Sequence, residues 1–122
     1  MKIKNIKIWD QEDSLYSRDI VEKAIEEYKE KVSARKSLGF VHFSDADPEI
    51  IPLAEVTHLI TNISLEENRA YVDIELLNTP KGIVLQEIID KSNLKCIMWG
   101  SAKVNIEGDY IGLDISSINI VI

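Results

Sequence analysis

Few side chains in this chain of 122 residues can do nucleophilic or acid–base chemistry near neutral pH, and they set the options for function. The two histidines, His42 and His58, stand sixteen residues apart, with Asp45 and Asp47 beside the first, so a metal site is one reading. Zinc ligands recur at short, regular spacings, and this pattern carries no such signature; neither a metal nor a cofactor is expected. Cys96 lies in the apolar run Leu94-Lys95-Cys96-Ile97-Met98. A free thiol in such surroundings reads as a small core residue rather than a nucleophile. Having no second cysteine to pair with, it also suits a reducing compartment. Ser101, two residues after Trp99, reads as a polar side chain on the outward face of a strand. Asp114 could orient a histidine or stand exposed on the last strand, and the residues alone leave that open.

The elements that would position these groups follow from periodicity. Residues 2–8 alternate charge and hydrophobe and read as a first strand. Asp19, with Glu22 three residues on, has the form of a capping box. After it Ile20, Val21, Ala24, Ile25, Tyr28 and Val32 recur at helical spacing. A short apolar segment, 38–43, leads to an acidic loop, and residues 55–65 form another strand. Glu66-Glu67-Asn68-Arg69 is a tight turn into a return strand, with Ala70, Val72, Ile74 and Leu76 inward and Tyr71, Asp73 and Glu75 outward. Thr79-Pro80 opens a second helix, with proline where its missing N–H costs nothing. Ile83, Leu85, Ile88 and Ile89 predict that this helix is largely buried. Residues 95–105 and 110–122 read as two closing strands joined at Glu107-Gly108-Asp109. With no repeat and no linker, the expected fold is a single α+β domain over residues 1–122, rich in antiparallel strands, with two main helices.

Composition excludes several function classes. Hydrophobic residues make up 45% of the chain, enough for a core, and the 5 glycines and 3 prolines do not point to disorder. With 14 Lys and Arg against 21 Asp and Glu, the formal net charge is -7. A phosphate backbone needs clustered cations, and none are clustered here, so neither nucleic acid nor an anionic membrane is an expected partner. The longest apolar runs are too short to cross a bilayer, and the alternating N-terminus lacks the apolar stretch of a secretion signal. A soluble intracellular protein is expected.

Five short motifs in one order resemble the head-maturation serine proteases of tailed phages. They are the helix entry Ser14 to Ala24; Leu38-Gly39-Phe40-Val41-His42; Val56-Thr57-His58; Ala70 to Gly82, ending Asn78-Thr79-Pro80-Lys81-Gly82; and the closing Gly112 to Val121. The resemblance implies a β-barrel surrounded by helices, as in the herpesvirus assembly proteases. It also implies an endopeptidase that cuts scaffold and capsid precursors inside the assembling head, in the host cytoplasm, with the possibility of a homo-oligomer. A serine there needs a base within hydrogen-bond reach, and the base needs an orienting partner. Carried over motif by motif, His42 is the base and Ser101 the nucleophile. His58 or Asp114 would be the third partner, and Lys103 would help hold the oxyanion. The family's Gly-x-Ser-Ser-Arg-Gly stretch departs here: aligned without gaps, its serines fall on Trp99 and Gly100 and its arginine on Ser101. Ser101 reaches the nucleophile position only after a shift of one or two residues, and one such step turns a strand side chain to the opposite face. The alternative expectation is a protease-fold protein without catalysis, a structural or binding component of the head or virion.

Overall fold

The computed structural model describes residues 1–41, 53–90 and 94–121. The elements are β1 (Lys2–Asp10), α1 (Arg18–Ser33), β2 (Leu38–Gly39), β3 (His58–Glu66), β4 (Arg69–Leu76), α2 (Pro80–Ile88), β5 (Lys95–Val104) and β6 (Tyr110–Val121). Short 3-10 turns follow β1 and precede β3. The expected strands and both helices are present; the acidic loop expected after residue 43 lies outside the described residues.

Two antiparallel sheets form, one of four strands in the order β1-β4-β3-β2 and one made of the β5–β6 hairpin. They are joined where the chain leaves β2. Ile120 N–H donates to the Phe40 carbonyl at 3.1 Å, and Val41 bridges Ile120 in parallel. The strands therefore curl in the order β1, β4, β3, β2, β6, β5. The closed barrel implied by the resemblance is not what the described residues make, because no ladder joins β5 to β1. Instead the two strands come side by side, some of their Cα atoms within 8 Å, and meet through side chains.

The β3–β4 hairpin follows its sequence pattern. Ala70, Val72, Ile74 and Leu76 are all buried, and Glu67 takes a positive φ of 54° in the tight turn. Helix α1 packs on β3 and β6 through Val21, Ala24, Ile25 and Tyr28. Of these, Val21 and Ile25 each contribute about 1.5–3 kcal/mol by leaving water. Its start differs from expectation. Ser17 is the N-cap, its hydroxyl accepting from Ile20 N–H, so Asp19 lies in the first turn and Glu22 pairs with Arg18 at 2.8 Å. A serine two residues earlier satisfies the same orphan amides, and the acid then complements the positive helix end. Helix α2 is capped by Thr79 with Pro80 at its start, as expected. It is not largely buried, however: Gly82 and Leu85 face the core while Ile83, Val84 and Ile88 are exposed. Nine residues laid against one sheet can turn only one narrow stripe inward.

Candidate functional site

The joined seam, between β2 and β6, is built from polar groups that water does not reach. Ser37, Thr57, His58, Ser117 and Asn119 are all buried there. The Asn119 side chain accepts from Phe40 N–H at 3.2 Å and donates to Ser117 Oγ at 3.0 Å. Tyr28 and Ser37 share a short hydroxyl–hydroxyl hydrogen bond, and burial raises the Tyr28 phenol above its ordinary range. His58 Nε2 lies 2.8 Å from the Ile118 carbonyl, which can only accept, so that nitrogen carries the proton. Nδ1 then accepts from the Thr57 hydroxyl at 2.8 Å. Burial lowers the His58 pKa to about 4, the one opposing influence being the Ile118 carbonyl. Both ring nitrogens are thus engaged and the ring is neutral and sealed. Gly39 completes the seal, since a Cβ there would run into the His58 ring and the Ile118 carbonyl.

Ser101, Lys103 and Asp114 come together elsewhere, on the exposed half of the hairpin. Ser101 stands directly opposite Asp114 in the β5–β6 register, so the two share a face. Lys103 Nζ is 3.4 Å from Asp114 Oδ2, with both side chains more than half exposed. Asp114 also borders a small hollow against Tyr28 and Lys31 of α1. His42 lies outside the described residues, as do Asp45 and Asp47. The chain is described as far as Val41, which is held at Ile120, the partner of Cys96. Ser101 is five positions further along β5, about 16 Å at the usual strand rise of about 3.3 Å per residue. Because the bridge at Val41 is parallel, the chain there runs with β6, away from Asp114 and Ser101.

At the unjoined seam lies a cleft of about 870 Å³, walled by Trp9 and Tyr16 on one side and by Ile97, Met98, Trp99 and Leu113 on the other. That size is in the range of small-ligand and peptide pockets. Cys96 lies at its floor, buried, and desolvation pushes its thiol up to about 12, so it is inert as a nucleophile, as its apolar neighbours suggested. Trp9 is buried, yet its indole N–H finds no acceptor among the described residues. Leaving such a donor dry and unpaired costs about 1–3 kcal/mol. Tyr16 packs at a tilt against Tyr110, ring centroids 4.9 Å and planes 57° apart, so the loop after β1 closes the end of the cleft nearest the hairpin tip. Sequence reasoning missed this cleft. Trp9 at the end of β1 was a usable signal, but nothing local says that β1 and β5 become neighbours.

No family model matches the chain, and no curated protein matches it either. Among solved structures it is similar to the capsid assembly protease gp21 of bacteriophage T4. The TM-score is 0.66 at 16% identity, covering 99% of this chain and 81% of that one. The likeness is one of fold, which in this chain is antiparallel strands curled into a partial barrel, with two helices.

Proposed function

We propose that this chain is a phage head-assembly protein of prohead-protease fold that acts by binding other head proteins rather than by cutting them at Ser101. The likeness to a capsid assembly protease supports the setting. What carries the non-catalytic reading is the separation on the hairpin. Val41, the last described residue before His42, is held about 16 Å along the strands from Ser101 and runs away from it. A general base must come within about 3 Å of the hydroxyl it activates. His58, the other histidine, is locked between Thr57 and Ile118 with its proton committed.

The experiment is labelling with a fluorophosphonate probe and mapping of the adduct by mass spectrometry. No adduct is expected at Ser101 under conditions that label an active serine protease. An adduct on Ser101 that disappears in both Ser101→Ala and His42→Ala would sink the reading. It would establish instead an activated nucleophile and make the endopeptidase reading primary, with Asp114 left to orient the base and Lys103 to assist at the oxyanion. The accessibility of Ser101 beside Lys103 and Asp114 is the observation in favour of that second reading.

A further inference from the structure

We infer that the outer end of the β5–β6 hairpin is a docking arm for a segment of a partner protein in which apolar side chains are flanked by Lys or Arg. The inference rests on the binding reading above and gives it a surface and a partner chemistry.

The arm is the part of the hairpin that the rest of the fold leaves uncovered. Residues 101–104 of β5 and 110–111 of β6 are exposed, and among the described residues the two strands ladder only with each other. Its two faces differ. Ser101 stands opposite Asp114 and Lys103 opposite Gly112, which makes one face polar. Ala102 stands opposite Leu113 and Val104 opposite Tyr110, which makes the other apolar, because strand side chains alternate. Tyr16 covers the root of that apolar face, against Tyr110 and beside Leu113. Further out, Val104 is more than half exposed and Ile106 wholly so.

Of the nine large hydrophobic residues exposed among the described residues, four fall within 104–111: Val104, Ile106, Tyr110 and Ile111. Apolar side chains scattered singly over a surface need no explanation, but a cluster on one projection marks an interaction surface. The tip is also held in shape before any partner arrives. Asn105 Oδ1 accepts from the Glu107 and Asp109 amides at 3.0 and 2.9 Å, while its backbone bonds Gly108 and Asp109. Gly108 takes the positive φ of 86° that closes the turn. A fixed turn therefore presents Ile106 to solvent, and a partner that covers it has little to order.

Charge selects the occupant. Glu107 and Asp109 stand on the turn, and Glu12 and Asp13 on the loop that reaches the arm at Tyr16, all four exposed. None of them enters an ion pair among the described residues. The cations nearby are taken: Lys103 is held by Asp114, Lys7 by Asp10 and Arg18 by Glu22. Lys95 begins β5, nine residues or about 30 Å behind Val104. A second copy would bring the same acids together on chains of net charge -7, and an anionic lipid surface would be repelled likewise. The complement is a protein segment with apolar side chains for Val104 and Ile106 and cations for the acids. Ser101 lies on the opposite face from Val104 and Tyr110, so docking on the apolar face is separate from any chemistry at Ser101.

The test is selection of mRNA-displayed random dodecapeptides on the intact chain, followed by titration of the best peptide into 15N-labelled protein. Enriched sequences are expected to carry apolar residues flanked by Lys or Arg. Their binding should shift the amides of Val104, Ile106 and Tyr110. It should weaken at least tenfold in Val104→Ser/Ile106→Ser and in Glu107→Lys/Asp109→Lys, and stay unchanged in Ser101→Ala. The same peptide with its cations exchanged for Glu should bind Glu107→Lys/Asp109→Lys more tightly than wild type. Because Ile106 is fully exposed, Ile106→Ser alone keeps the test decisive if a double variant fails to fold. Absence of enrichment over the naive library, enriched peptides without cations, or shifts confined to another surface would each overturn the inference. So would self-association, or binding to phosphatidylcholine vesicles, that Ile106→Ser abolishes. A fluorophosphonate adduct at Ser101 with peptide binding intact would defeat the non-catalytic reading and leave the arm; no adduct and no selected peptide would remove the arm alone.

Discussion

The two seams of this partial barrel solve the same problem with opposite chemistry. Between β2 and β6 the strands are joined by buried polar groups, each with a partner: His58, Thr57, Asn119, Ser117 and the Phe40 amide. Between β5 and β1 they meet through Trp9, Ile97 and their neighbours, with strand edges and an indole N–H left over. A satisfied polar network tolerates little change, because removing one member strands the others without water. An apolar contact around a cleft loses only the area removed. The first seam is therefore expected to be rigid and the second adaptable.

This contrast can be broken in graded steps. The largest effect is expected from Gly39→Ala, which drives a methyl group into the His58 ring and the Ile118 carbonyl. Overpacking at a site that cannot yield should cost about 3 kcal/mol, read by urea unfolding. Leu113→Ala at the open seam should cost less than about 1.5 kcal/mol, well under the usual toll for a buried leucine, since Leu113 is only half-buried. Comparable losses from the two would erase the distinction.

A pH series comes next. Folding lowers the His58 pKa from 6.5 to about 4, so the unfolded chain binds the extra proton between those values. Stability from this group is full above pH 6.5 and lost as pH falls towards 4, by about 3 kcal/mol over the window. Urea midpoints measured from pH 7.5 to 4 should fall accordingly, and His58→Gln should flatten the slope. A flat wild-type profile would mean that His58 is solvated.

Asn119→Ala should cost about 2 kcal/mol by leaving the Phe40 N–H buried and unpaired. Trp9→Phe should change stability by less than about 1 kcal/mol, since it removes a donor that already lacks a partner along with part of a ring. Chemical denaturation of the two variants side by side sharpens the comparison, and a Trp9→Phe loss equal to that of Asn119→Ala would contradict it. Smallest of all, Lys103→Ala should fall within about 0.5 kcal/mol, because its ion pair with Asp114 is open to water.

What the sequence made legible was local. The alternation from Ala70 to Leu76 specified β4 and its buried face, because strand period and burial coincide there. Thr79-Pro80 located the start of α2 to the residue. What it misjudged depends on neighbours distant in the chain. Ile83 and Ile88 look like core residues, but α2 has only one sheet to lie on. Ser17 took the cap expected of Asp19, a competition between adjacent polar residues that hydroxyl geometry decides. The resemblance identified the fold as far as the curled antiparallel strands and two helices, but not the closed barrel. The candidate site was harder to read, because the distance of Ser101 from Val41 is set by where β2 meets β6, a pairing of residues about 80 apart in sequence. Trp9 and β5 become neighbours for the same long-range reason.

The most direct measurement of the contrast between the seams is native-state hydrogen exchange, residue by residue. The amides of Phe40, Thr57 and Ile120, all bonded within the joined seam, are expected to exchange only through global unfolding. The amides of β5 that do not pair with β6 should exchange by local opening, at least a hundredfold faster. Equal protection at both seams would contradict the account, for it would mean that β5 and β1 are bonded and the barrel is closed.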